Sequence, residues 1–244
     1  MLSSISVTIV PDAHSGVINI NSVGQTQDVS NIGKIVIARK VTSGTDWNDI
    51  STVTVEDVGD LTFEMNDISA VAGQVYSYNF DVYPPDSEMP SESGMVENIK
   101  CTLDGLFIGD SAAQYVAIAN FQTEHMRNTA VQHVTTLSGR YPYRISNADT
   151  NYETGTSSGL FMYFDPDTCT ITPDNYHVLS KEIIDWLTNG ESKVLKTHDG
   201  QVWLVSIGEN PAEIYNEFLG AHTIEFDWTE IGDVSEVELV GVSA

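Results

Sequence analysis

Short runs of alternating apolar and polar residues, separated by Gly, Asn and Asp, recur along almost the whole chain, and this period of two commits it to sheet structure. Before residue 97 the runs are Val7-Thr8-Ile9, Val17-Ile18-Asn19-Ile20, Lys34-Ile35-Val36-Ile37-Ala38-Arg39, Thr52-Val53-Thr54-Val55, Leu61-Thr62-Phe63-Glu64-Met65 and residues 75–83. That many short strands in so few residues is the strand density of a β-sandwich. A stretch beginning Tyr83-Pro84-Pro85-Asp86-Ser87-Glu88-Met89-Pro90 follows, rich in proline and small polar residues. It predicts a stiff, solvated connection and a domain boundary, dividing the chain into 1–97 and 98–244.

Beyond the boundary, strands are predicted at 106–110, 115–121, 132–136, 141–145, 156–164, 193–196, 202–207 and 223–228. One segment has a different period. Between 178 and 188, Leu179, Ile183, Trp186 and Leu187 form one stripe of a helix, and Asn189-Gly190 supplies its stop. The fold class read from the sequence is therefore mainly β: a β-sandwich, then a sandwich or barrel-like domain with one packed helix near 178–188.

Charge narrows the functions open to such a fold. Of 244 residues, 35 are Asp or Glu and 10 are Lys or Arg, a formal charge of −25, while 41% are hydrophobic. The apolar fraction is ample for a core. The acidity excludes the broad basic footprint of a nucleic-acid binder and disfavours anionic membrane surfaces. No window approaches the roughly 20 apolar residues of a spanning helix, so no membrane insertion is expected. The opening residues alternate like a strand and carry no secretory signal. Cys101 and Cys169 have no scaffold spacing and are expected to be reduced and at least half-buried, as in a cytoplasm.

Reactive constellations are absent from the sequence pattern. His14, His125, His133, His177, His198 and His222 are scattered, and the His125/His133 pair lacks the further ligands a zinc site needs. Asp165-Pro166-Asp167 with Asp174 lacks the Gly and terminal Glu of a calcium loop and reads as a solvated turn. Ser138-Gly139 and Ser158-Gly159 are turn serines without a nucleophile elbow, and no phosphate-cradling glycine loop is present. The reading is a non-enzyme that needs no cofactor and no metal.

Two resemblances give that reading content. Trp47 followed by Gly73-Gln74-Val75-Tyr76-Ser77-Tyr78 resembles the turn and Tyr-x-Tyr strand of fibronectin type III and related immunoglobulin-like modules. In the second part, Gly139-Arg140-Tyr141-Pro142-Tyr143-Arg144, then Asn151-Tyr152-Glu153-Thr154-Gly155, then Asp185-Trp186-Leu187-Thr188-Asn189-Gly190 follow in order. They continue with Lys193-Val194-Leu195-Lys196-Thr197-His198-Asp199-Gly200 and Phe226-Asp227-Trp228. This succession, over roughly residues 105–235, resembles the distal tail or upper baseplate proteins of long-tailed phages and prophages of Gram-positive bacteria.

The resemblance implies a virion protein, assembled in the host cytoplasm, that forms a ring, usually a hexamer. Its partners would be further copies of itself, the tail tube, the tail-tip hub and a receptor-binding protein or host glycan. Arg140, Tyr141, Arg144, Tyr152 and Glu153 are the expected subunit-interface residues. An alternative is a carbohydrate-binding module reading host polysaccharide, with Trp47, Tyr83 and Tyr176 as the sugar-facing aromatics. In a ring, subunits of −25 repel one another, so the scarce bases Arg127, Arg140 and Arg144 gain weight as counter-charges and assembly is expected to strengthen with salt.

Overall fold

The computed structural model describes residues 2–135, 141–161, 164–165, 170–171, 176–216, 221–234 and 242–243. The chain is mainly β, with sheets, a 6-strand β-barrel and one helix among the described residues. It divides into two compact units: Met1–Val116 with Val194–Trp203 and Asp233–Ala244, and Ala117–Lys193 with Leu204–Gly232.

In the first unit, β1 (Ile5–Pro11), β2 (Ile18–Gly24), β3 (Lys34–Val41), β4 (Asn48–Thr54), β5 (Phe63–Asp67), β6 (Val75–Tyr83) and β7 (Glu92–Lys100) form two antiparallel sheets. Their orders are β1-β2-β5 and β4-β3-β6-β7. Alternation explains the core. Ile18 and Ile20 of β2 with Phe63 and Met65 of β5 are buried on one sheet, and Ile35, Ile37, Tyr78, Phe80 and Val82 on the other. All the strands expected before residue 97 form. The Pro84-Pro85 stretch, expected to be a connection between domains, is instead the loop of the β6–β7 hairpin, in which Val82 pairs with Glu92. The boundary expected at 97/98 falls inside β7. That strand escaped sequence reading because it is largely exposed and its Ser, Glu and Asn residues blur the alternation. The unit is completed by β8 (Leu106–Gly109), which pairs with β13 (Lys193–Thr197) through Val194↔Gly109 to Thr197↔Leu106.

The second unit is built on β9 (Gln114–Val134) and β10 (Tyr143–Phe161). Each was expected as two separate strands. The two strands continue through the polar residues between them, paired from Tyr143↔Val134 to Phe161↔Ala117 with register shifts between Asn147 and Asn151 and between Ser158 and Phe161. The short pair β11 (Phe164–Asp165) and β12 (Thr170–Ile171) precedes α1 (Tyr176–Leu187). The helix packs against β16 (Ala221–Gly232), burying Leu179, Ile183 and Leu187, whereas Trp186 is only half-buried, under the Lys193 ammonium 4.6 Å from its ring centroid. Gly190, at φ 86°, ends it as expected. β16 pairs with β10, with β14 (Val202–Ile207) and with β15 (Ala212–Asn216). Last, β17 (Val242–Ser243) joins β5 in the first unit.

Candidate functional site

Two places in the fold depart from ordinary sheet packing. The first is the β9–β10 ribbon. β10 pairs with β16 only from Thr154↔Thr229 to Gly159↔Ile224, while its pairing with β9 continues outward to Tyr143↔Val134. The outer part is therefore a two-stranded arm. A two-stranded ribbon is at best marginally stable in water without something packed on it.

Its two faces differ in chemistry. Residues opposite each other in an antiparallel pair share a face. Met126 with Thr154, Asn128 with Tyr152, Gln132 with Ile145 and Val134 with Tyr143 line one face, which also carries Ala130. Tyr143 is 67% exposed and Ile145 57% exposed on that face, an unusual display for large apolar groups. The other face carries His125, Arg127 with Glu153, and His133 with Arg144. From His125 to Ala148 the sequence holds no Asp or Glu, although the chain as a whole has 35. The arm is a two-faced ribbon that carries Arg127 and Arg144 against Asp149 and Glu153, a near-neutral segment on a strongly acidic protein.

The expected interface residues fall on this ribbon with different surroundings. Tyr141 is 71% exposed beside the first residues of β10. Arg144 is exposed on the basic face and Tyr152 sits on the apolar one. Glu153 is engaged within the subunit: Arg127 donates to its Oε1 from Nη2 at 2.9 Å and Nε at 3.2 Å, and its backbone N–H donates to Glu230 Oε2 at 2.7 Å. Arg140 lies outside the described residues.

Of the sugar-facing aromatics, Trp47 is exposed beneath the Lys40 ammonium, 4.9 Å from its centroid. Tyr83 is half-buried beside Lys34 at 5.0 Å. Tyr176 opens α1. Trp47 and Tyr83 sit toward opposite ends of β3, which pairs Lys34 with Tyr83 and Lys40 with Ser77.

The second departure is a charged network inside the sandwich, which sequence reading missed. Arg39 Nη1 donates to both carboxylate oxygens of fully buried Asp67 at 2.5 and 2.7 Å and to Ser69 Oγ at 3.1 Å. Tyr78 donates its hydroxyl to Asp67 at 2.7 Å, and the Arg39 guanidinium lies 4.8 Å from the Tyr76 ring centroid. Burial alone would raise the Asp67 pKa, but Arg39 and the Tyr78 and Ser69 hydrogen bonds hold it below the ordinary carboxylate value. Burial pushes the Tyr78 phenol up.

Nearby in the same unit, Lys196 is fully buried, donating to Gly16 O at 2.5 Å and Ala70 O at 3.3 Å, with its ammonium 4.3 Å from the Phe107 centroid. Burial pulls its pKa down to about 8. Cys101, buried as expected, donates its thiol to the same two carbonyls, and burial raises its pKa. Cys169 and the Asp167 and Asp174 turn lie outside the described residues. The only warning of the Arg39 network was a lone Arg inside an apolar strand.

Arg39 and Asp67 balance one another's charge, Lys196 is held by backbone carbonyls, and among the described residues no three His, Cys, Asp or Glu side chains converge as metal ligands. No helix among them is long and apolar enough to cross a membrane.

No protein-family profile and no curated protein match the chain. Among solved structures it is similar to a chain of a native gene transfer agent virion, at 16% identity and TM-score 0.30, covering 56% of this chain and 95% of that one. A chain from the tail of an empty gene transfer agent particle with C6 symmetry gives 18% identity and TM-score 0.30, covering 57% and 96%.

Proposed function

We propose that the chain is a non-catalytic structural subunit of a phage-type tail, forming an oligomeric ring that joins the tail tube to the tail-tip hub or receptor-binding apparatus. The observation that carries this reading is the two-faced arm. A ribbon with exposed Tyr143 and Ile145 on one face and Arg144 on the other, extending beyond its sheet, is suited to lie between two surfaces, and in a −25 protein a segment without net negative charge is where copies can approach. The succession of motifs over residues 105–235 supports the tail assignment, and the Tyr-x-Tyr strand supports a fibronectin-like module built on β1 to β7. The chain would work in the virion after cytoplasmic assembly. Negative-stain imaging and mass photometry of the purified protein test the reading: rings of uniform copy number are expected, and a monomer at all concentrations and salts overturns it.

A second reading, a carbohydrate-binding module, is favoured by Trp47 and Tyr83, each beside a lysine ammonium toward opposite ends of β3. A glycan array separates it from the first: polysaccharide binding lost in Trp47→Ala and Tyr83→Ala variants supports the module, and no binding dismisses it.

A further inference from the structure

The arm has one large feature in its own unit whose chemistry it matches. On the solvent side of β9, β10 and β16, cross-strand rows align Gln122 with Ser158 and Glu225, Glu124 with Thr156 and Asp227, and Met126 with Thr154 and Thr229. The opposite side of these strands buries Ser157, Ile224, Phe226 and Trp228, so the carboxylates stand on a clean outward face. Set into it is an open cavity of about 290 Å³, lined by Met126, Thr154, Thr156, Gly208, Asp227 and Thr229, with Trp228 reaching it beside Gly155. Asp227 accepts a 2.6 Å hydrogen bond from Thr156 Oγ1, which fixes one of its oxygens and turns the carboxylate toward the row. Gly155, which also lines the cavity, admits no side chain, since a Cβ there would come within 2.2 Å of Glu124 O.

A carboxylate, threonine hydroxyls and the flank of a methionine are what an arginine needs: an acceptor for the guanidinium fork, further oxygens for its remaining N–H groups and an apolar wall for its methylenes. The arm carries that group at Arg144, exposed on its basic face. The same copy cannot deliver it. Arg144 pairs with His133, and from Met126 to His133 a strand extends about 23 Å at 3.3 Å per residue, so each arginine is held away from its own cavity.

Resting on the ring reading above, we propose that the basic face of one copy's arm docks on the β9–β10–β16 outer face of a second copy, with Arg144 entering the cavity at Asp227. The contact is heterologous, arm to face, and repeats around a ring. The other face of the arm, with Tyr143 and Ile145, is left for a further contact between copies.

A charge swap tests this. Arg144→Asp and Asp227→Arg are each expected to weaken self-association roughly tenfold or more, with the thermal melt of the monomer unchanged. The double variant R144D/D227R is expected to regain assembly. So is a one-to-one mixture of the two single variants, because each arm then meets a face of opposite charge in an alternating ring. Thr229→Trp, which fills the cavity without altering charge, is expected to block assembly, and it serves as the test if Asp227→Arg lowers the melt. If the wild type forms rings but the variants assemble equally well, or neither the double variant nor the mixture recovers, this docking is wrong while the ring reading stands. If the wild type never assembles, the ring reading itself fails.

Discussion

The sandwich interior and the β9–β10 arm handle charged and aromatic residues in opposite ways. Inside the sandwich, Arg39, Asp67, Tyr76 and Tyr78 are buried and paired with one another. On the arm, Tyr143, Arg144 and Ile145 are exposed, sorted onto two faces. The first pattern is complete within one subunit and serves stability. The second is incomplete in one subunit and points outward. A substitution in the first region should therefore move the melt and leave assembly intact in whatever folds, and one in the arm should do the reverse.

The largest break in that comparison is Asp67→Asn. It leaves the Arg39 guanidinium buried without its counter-ion, and removing one partner of a buried pair costs about 3 to 5 kcal/mol, measured by urea denaturation. The pH dependence gives an independent check. Because the folded pKa of Asp67 lies below its unfolded value near 3.8, its stabilisation is present above that value and is lost as pH falls through the folded one. The asparagine variant should lose that part of the acid sensitivity. A melt within about 1 kcal/mol of wild type would show that the pair is dispensable.

Next is the arm. Tyr143→Ser with Ile145→Ser should change monomer stability by less than about 0.5 kcal/mol, because both side chains are exposed. Each apolar side chain fully buried on association is worth about 1.5 to 3 kcal/mol, so assembly should weaken by more than tenfold in sedimentation velocity. Equal loss of monomer stability would mean that the arm packs within its own subunit.

How far the sequence foretold this contrast depends on where the alternation survives. In β2, β3 and β6 one face is core, so Ile18-Asn19-Ile20, Ile35-Val36-Ile37 and Tyr78-Asn79-Phe80 announced themselves. Phe226 and Trp228 are buried around exposed Asp227, again as the alternation implied. The arm was half legible. Tyr141, Arg144, Tyr152 and Glu153 stand out in the sequence, but residues 122–131 and 146–155 fall outside the predicted strands, because a ribbon exposed on both faces has no buried face to write a pattern. The Arg39–Asp67 contact joins β3 to β5 across the sandwich, a long-range pairing that local periodicity does not encode. Lys196 ends the strand predicted at 193–196, and nothing in Val194-Leu195-Lys196 marks the lysine as buried.

Lys196 gives a smaller effect on the stability side. Its ordinary pKa of 10.5 falls to about 8 in the fold, so above pH 8 the unfolded chain holds a proton that the folded one releases. Stability should therefore rise with pH, by about 1 kcal/mol between pH 8 and 9. Beyond pH 9 the Cys101 thiol opposes the trend, since its raised folded pKa lets the unfolded chain ionise first. A Lys196→Met variant should lack the rise, with urea midpoints taken at half-unit steps as the measurement. A slope shared by variant and wild type would assign the effect to other groups.

The smallest effect falls on the arm and concerns salt. Two terms compete when copies of a −25 subunit meet. Arm arginines against carboxylates are exposed pairs, each worth about 0 to 1 kcal/mol, and salt weakens them. The summed repulsion of the remaining acids acts at longer range, and a Debye length of about 8 Å at physiological salt removes much of it. With so few bases to set against so many acids, repulsion dominates. Raising NaCl from about 0.05 to 0.3 M should therefore strengthen assembly, by a few-fold in apparent association constant. Charge reversal at Arg140 and Arg144 should weaken assembly at every salt and steepen its salt dependence, because attraction becomes repulsion at the contact. Rings that dissociate as salt rises would mean instead that the Arg144 ion pairs outweigh the summed repulsion of the acids.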